Sequence, residues 1–213
     1  MKKKLISEFL GTYFLVFAGT GAVVIDQITK SLTHVGVALT FGLVVMALIF
    51  TFGHLSGAHF NPAVTIGFLI HGDIKKKEAI SYIIIQILAG IAASATLLSL
   101  FGNVASIGAT LPRGSWQQSF VLEFILTFFL MMVIFGSAVH EKAVKEFAGI
   151  AIGATVGLEA MFAGPICGAS MNPARSIGPA IVSGNTQCLW IYIVATILGA
   201  SLAAVIYKII HEK

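Results

Sequence analysis

Six apolar runs of near-uniform length constrain this chain more than any other feature. They extend from about Leu5 to Ile25, Val35 to Phe52, Ala79 to Phe101, Phe120 to Val139, Phe147 to Ala163 and Leu189 to Tyr207. A hydrocarbon layer of about 30 Å takes roughly 20 helical residues to cross, so each run reads as one membrane crossing. Of the 213 residues 57% are hydrophobic and only 10% charged, which leaves no stretch for a separate soluble domain. The expectation is an all-α membrane protein whose single transmembrane domain takes in residues 1–213. The basic start, Met1 to Lys4, imitates a signal peptide. Glu8 within the first run, and the further runs behind it, favour a retained helix.

Two shorter apolar pieces remain, Asn61 to Ile70 and Asn172 to Val182, and both open with Asn-Pro-Ala. At about 1.5 Å per residue each covers roughly half a membrane. The tripeptide is part of a wider duplication. Glu8, Phe9 and Thr12 recur as Glu123, Phe124 and Thr127, Asn61 recurs as Asn172, and Tyr82 as Tyr192. The copies run over about 1–110 and 115–213. Each holds three crossings, an odd number, so the second copy lies inverted relative to the first and the two half helices meet near the midplane.

Basic residues set the orientation. With six crossings, Lys2, Lys3, Lys4, Lys75, Lys76, Lys77, Lys142, Lys145, Lys208 and Lys213 share one side, and Lys30, Arg113 and Arg175 fall on the other. That asymmetry predicts both termini in the cytoplasm. Short tails and compact loops suggest a plasma or inner membrane. The net charge of +4 sits in short loops and not on a basic face, so no nucleic-acid partner is expected. Cys167 and Cys188 lack the spacing of a disulfide framework or a metal site. Neither metal nor cofactor is expected.

Asn is a strong helix cap and Pro suits the first helical position, so Asn61-Pro62-Ala63 and Asn172-Pro173-Ala174 each predict the start of a helix. Non-helical backbone at membrane depth survives only inside protein or beside water, so the lead-ins Gly53 to Phe60 and Gly164 to Met171 predict a polar path lined by free carbonyls. Two helix starts facing one another contribute about half a positive charge each. One net positive charge at 4 Å repels a cation by about 4 kcal/mol at an effective dielectric near 20, so the midplane favours neutral molecules.

The segments Gly53 to Thr65 (GHLSGAHFNPAVT) and Gly168 to Ser176 (GASMNPARS) resemble the aquaporin family, and the resemblance covers essentially the whole chain. Ala163 to Ala180 and Ser119 to Phe128 are most similar to the plant nodulin-type branch and its bacterial relatives. The resemblance implies a homotetramer with one pore per subunit, passing water and small uncharged solutes. It also implies an outer constriction formed by Phe41, Ala160, Ala169 and Arg175. Water-selective members carry His where Ala160 stands and usually Cys or a small polar residue where Ala169 stands. Two alanines therefore predict a wider opening, suited to glycerol, urea or undissociated metalloid acids such as arsenous, boric or silicic acid. A strict water pore is the alternative.

Arg175 would cost about 2.5 to 3.5 kcal/mol facing lipid at mid-bilayer, so it is expected in a wet cavity, held by carbonyls. Glu8 and Glu123 are expected to brace the re-entrant loops through backbone N–H groups, with a proton relay as the sharper alternative. Glu159 is expected to buttress the loop before Asn172 or to compensate Arg175. For His59, lining the pathway and packing weigh equally; for His54, packing is favoured. Gly149, Gly153 and Gly157, four residues apart, suit a close helix contact. An inverted-repeat secondary transporter is the rival function. An enzyme is disfavoured, because the sequence carries no nucleophile with its base, metal cluster or nucleotide loop.

Overall fold

A computed structural model describes residues 1–211; Lys213, counted above among the basic residues, lies outside the described residues. The helices are α1 (Lys2–Thr29), α2 (Thr33–Ser56), α3 (Pro62–His71), α4 (Lys76–Phe101), α5 (Trp116–Ile134), α6 (Ala148–Cys167), α7 (Pro173–Ser183) and α8 (Leu189–His211). Among the described residues six helical spans are long and apolar enough to cross a membrane: α1, α2, α4, α5 with its continuation to Val139, α6 with its lead-in from Lys145, and α8. The two half-length helices are α3 and α7. The fold is all-α with an inverted internal repeat.

The apolar runs understate the helices. α1 reaches Lys2 and Thr29, and α5 begins at Trp116, where Ser115 Oγ accepts from Gln118 N. Polar first turns extend beyond the hydrocarbon and carry no hydropathy signal.

The lead-ins are shorter than expected. Gly53 to Ser56 and Gly164 to Cys167 are helical, and the non-helical backbone is confined to 57–60 and 168–171. The glycines that end α2 and α6 are Gly57 and Gly168, each with φ of 87° and an N–H donating to the carbonyl of Gly53 or Gly164. Of the four glycines in the expected lead-ins, Gly53, Gly57, Gly164 and Gly168, only these two take the left-handed conformation that a helix C-terminus favours.

α2 and α6 pack closely along a stripe of small residues. A methyl group at Gly42 would lie 2.7 Å from the Gly153 carbonyl, and one at Gly153 would lie 2.6 Å from Met46 Cβ. Ala38 and Gly157 continue the contact. Between lipid-exposed helices this approach supplies the dispersion contact that hydrophobic burial cannot. α7 is seated against α4 in the same way, with Gly90 under the Ala174 carbonyl.

Candidate functional site

The two half helices are built alike. Asn61 caps α3, its Oδ1 accepting from Ala63 N at 2.9 Å and Val64 N at 3.4 Å; Asn172 caps α7, accepting from Ala174 N at 3.0 Å and Arg175 N at 3.4 Å. Each amide also reaches across to the opposite loop. Asn61 Nδ2 donates to Met171 O at 2.7 Å, and Asn172 Nδ2 donates to Phe60 O at 2.9 Å. One hydrogen of each NH₂ is thereby used and the second is free for a molecule between the helix tips.

The loops before the caps are strained. Ala58 and Phe60 have φ of 51° and 49°, and Ala169 and Met171 have φ of 42° and 53°. Left-handed backbone costs a non-glycine residue about 1 to 2 kcal/mol, so something must hold it. In the first loop that is Glu8, fully buried, whose Oε1 accepts from Ser56 Oγ (2.7 Å) and His59 N (3.0 Å), and whose Oε2 accepts from Phe60 N (2.8 Å) and Gln86 Nε2 (2.8 Å). In the second loop Glu123, equally buried, accepts from Ser170 N at 2.8 Å and Met171 N at 2.9 Å.

Two cavities approach this centre from opposite ends. The larger, about 810 Å³, is lined at one end by Lys4, Glu78 and Lys145 and deeper by Gly57, His59, Asn61 and Asn172, with Val45, Val64 and Ile152 on its apolar wall. The smaller, about 330 Å³, is lined by Asp26, His34, Gly108, Ala160 and Gly164. Both are lined by Phe41 and Arg175. Arg175 Nη1 donates to Gly108 O at 2.7 Å, and its guanidinium carbon lies 5.0 Å from the Phe41 ring centre. The Phe41 ring occupies the space left by Gly19 of α1, where a methyl group would overlap it. Ala160 lines the smaller cavity and Ala169 the larger.

The family model for the major intrinsic proteins matches residues 1–207. The chain is 49% identical to an aquaporin, NIP1-2, of Arabidopsis thaliana, over 98% of this chain and 74% of that one. It is 48% identical to nodulin-26 of Glycine max, over 98% and 78%. The X-ray structure of the aquaglyceroporin from Plasmodium falciparum superposes with a TM-score of 0.86 at 27% identity, covering 98% of this chain and 96% of that one. The chain belongs to the major intrinsic protein family. As a major intrinsic protein it is a multi-pass membrane channel for water and small solutes, and the family is one of channels and not of enzymes.

Within this major intrinsic protein some residues stand apart from the positions expected of them. Glu159 is 2% exposed, and neither carboxylate oxygen has a hydrogen-bond partner among the described residues, so it neither buttresses the Asn172 loop by a hydrogen bond nor pairs with Arg175. The cause is helical rotation: about 100° separates neighbours on α6, and Glu159 follows the stripe of Thr155, Ala163 and Cys167, away from the cavity-lining Ala160. His54 is exposed and lines the larger cavity, contrary to the packing role expected. His59 also lines it, stacked on Phe68 with its Nδ1 3.1 Å from Thr65 Oγ1. Cys167 is buried and lines neither cavity.

Other participants had no sequence signal strong enough to single them out. Gln86 bridges Glu8 and Thr65, yet the repeat gives no hint of it, because Thr196 stands at the matching place and donates to its own helix at Tyr192 O. Gly108 ends a turn whose Ala105, Ser106 and Ile107 all have φ between 48° and 55°. That left-handed turn brings its carbonyl to Arg175.

Proposed function

We propose that the protein is a passive channel for water and for small uncharged solutes up to the size of glycerol, urea and undissociated metalloid acids, with exclusion of protons and other ions. The observation that carries this reading is that the two cavities share Phe41 and Arg175 as lining, with alanines, Ala160 on one and Ala169 on the other, in place of larger or donating side chains. Phe41, Ala160, Ala169 and Arg175 act as the selectivity filter. One cationic donor faces one aromatic wall, an arrangement that suits a polyol with a hydroxyl edge and a carbon edge. The likeness to an aquaglyceroporin points the same way.

Asn61, Pro62, Ala63, Asn172, Pro173 and Ala174 form the central constriction. There the free amide hydrogens and two helix starts orient a neutral molecule and repel cations. Glu8 and Glu123 serve as braces for the strained loops, and His59 as part of the wall. Four donors occupy the four acceptor positions of Glu8, which leaves no opening for a relayed proton. The functional unit is a homotetramer in the cell membrane with both termini cytoplasmic, an orientation that the lysine asymmetry supports.

The filter assignment is tested by Ala160→His. In vesicles holding equal protein, the substitution is expected to cut glycerol and arsenous acid entry at least about tenfold while sparing water, since both a wall and a donor are added. Equal loss for water and glycerol, or none for either, contradicts the assignment.

A further inference from the structure

Pro165 lies inside α6, three residues before its last turn closes at Gly168. Having no N–H, it offers nothing to the carbonyl four residues back, which is that of Met161. A different helix supplies the donor. His34, in the first turn of α2, places its Nε2 2.6 Å from Met161 O, and since a carbonyl only accepts, that nitrogen carries the proton. The ring sits against Gly164, where a methyl group would come within 2.9 Å of Cε1. One helix thus contributes a missing donor and a missing side chain, and the other an imidazole that fits both.

The location gives this contact its consequence. His34, Ala38 and Phe41 are spaced four and three residues apart, so they form one stripe of α2. On α6, Ala160 and Gly164 are one turn apart. His34, Phe41, Ala160 and Gly164 all line the smaller cavity. The small-residue contact between α2 and α6 therefore ends, at the mouth, in this hydrogen bond. We infer that His34 is a positioning residue for solute selection: by donating to the carbonyl that Pro165 leaves free, it pins the outer end of α6 to α2 and fixes the distance between Phe41 and Ala160. The inference rests on the reading of those two residues as part of the filter.

A double-mutant cycle tests it. Wild type, His34→Ala, Pro165→Ala and the double variant are reconstituted at equal protein, and the ratio of glycerol to water permeability and the melting temperature are measured for each. Ala160→His is the reference arm. The expected result is a rise in the ratio of about threefold or more in His34→Ala, the scale of one lost neutral hydrogen bond. His34→Gln, which keeps a donor, is expected to retain most of the wild-type value. In the Pro165→Ala background, where a backbone N–H is restored to Met161, removal of His34 should have less than half of its original effect. An unchanged ratio in His34→Ala, or the same change in both backgrounds, overturns the inference. If Ala160→His also leaves the ratio unmoved, the filter reading falls instead. The interlock is then judged on melting temperature alone, where non-additivity supports it and additivity refutes it.

Discussion

Arg175 is anchored to Gly108: its Nη1 donates at 2.7 Å to a carbonyl delivered by three consecutive left-handed residues. A β-branched residue, Ile107, is among them and is wholly buried, so the turn is held against its own backbone preference. The arrangement fixes the guanidinium beside the Phe41 ring, where it lines both cavities.

Removing that charge should relax ion exclusion before it harms solute flux. In Arg175→Ala, proton leak measured with an entrapped pH dye is expected to rise by about tenfold or more, a fraction of the roughly 4 kcal/mol that one positive charge at 4 Å represents. Glycerol entry should be unchanged or faster. An unaltered leak would show that the helix tips at Asn61 and Asn172 exclude protons without help.

Gly19 should behave as part of the filter although it touches no solute. A methyl group there overlaps the Phe41 ring, so Gly19→Ala must push the ring toward the cavity or tilt α1. The expected outcome is a lower glycerol-to-water permeability ratio with the protein still inserted. Gly136, beside which there is open space and whose φ is not positive, provides the control site outside the filter.

Glu8→Gln replaces two acceptor oxygens by one and sets an NH₂ against the backbone N–H of either His59 or Phe60, which bind different oxygens. Leaving a buried donor unpaired costs about 1 to 3 kcal/mol, so the melting temperature in detergent should fall clearly. Gln86→Leu should fall less, because it removes one of four donors to Glu8. Equal stability of Glu8→Gln and wild type would argue against the brace.

Much of the site is legible in the sequence because it is duplicated. Asn61 and Asn172 stand out by recurrence, and their cap geometry follows from Asn before Pro. The contacts that cross between elements are not legible in the same way. His34 to Met161, Arg175 to Gly108 and Gln86 to Glu8 join residues 127, 67 and 78 positions apart, without local periodicity to announce them. Gly53 and Gly164 resemble helix breaks in the sequence, but α2 and α6 run on past them and end at Gly57 and Gly168, where a left-handed cap is needed. Glu159 shows the opposite limit. An intramembrane carboxyl invites a partner, yet one step of helical rotation takes it off the cavity-lining stripe.

Thiol chemistry separates the lined from the buried positions. Cys167 is fully buried and its Sγ is within 3.5 Å of Ala163 O, so water flux should be insensitive to a mercurial in the wild type. Ala169→Cys puts a thiol on the cavity wall two residues away and should become sensitive. Block of the wild type with no added block in Ala169→Cys would invert the assignment of these two positions.

The most direct test of the whole account is stopped-flow light scattering on reconstituted vesicles, following water efflux and then glycerol re-entry, with and without a proton or sodium gradient. A fixed wet path predicts fast water, glycerol entry that rises linearly with concentration, a low activation energy for both, and indifference to either gradient. Saturable glycerol entry that follows an ion gradient, or fast water with no glycerol entry at all, would contradict it.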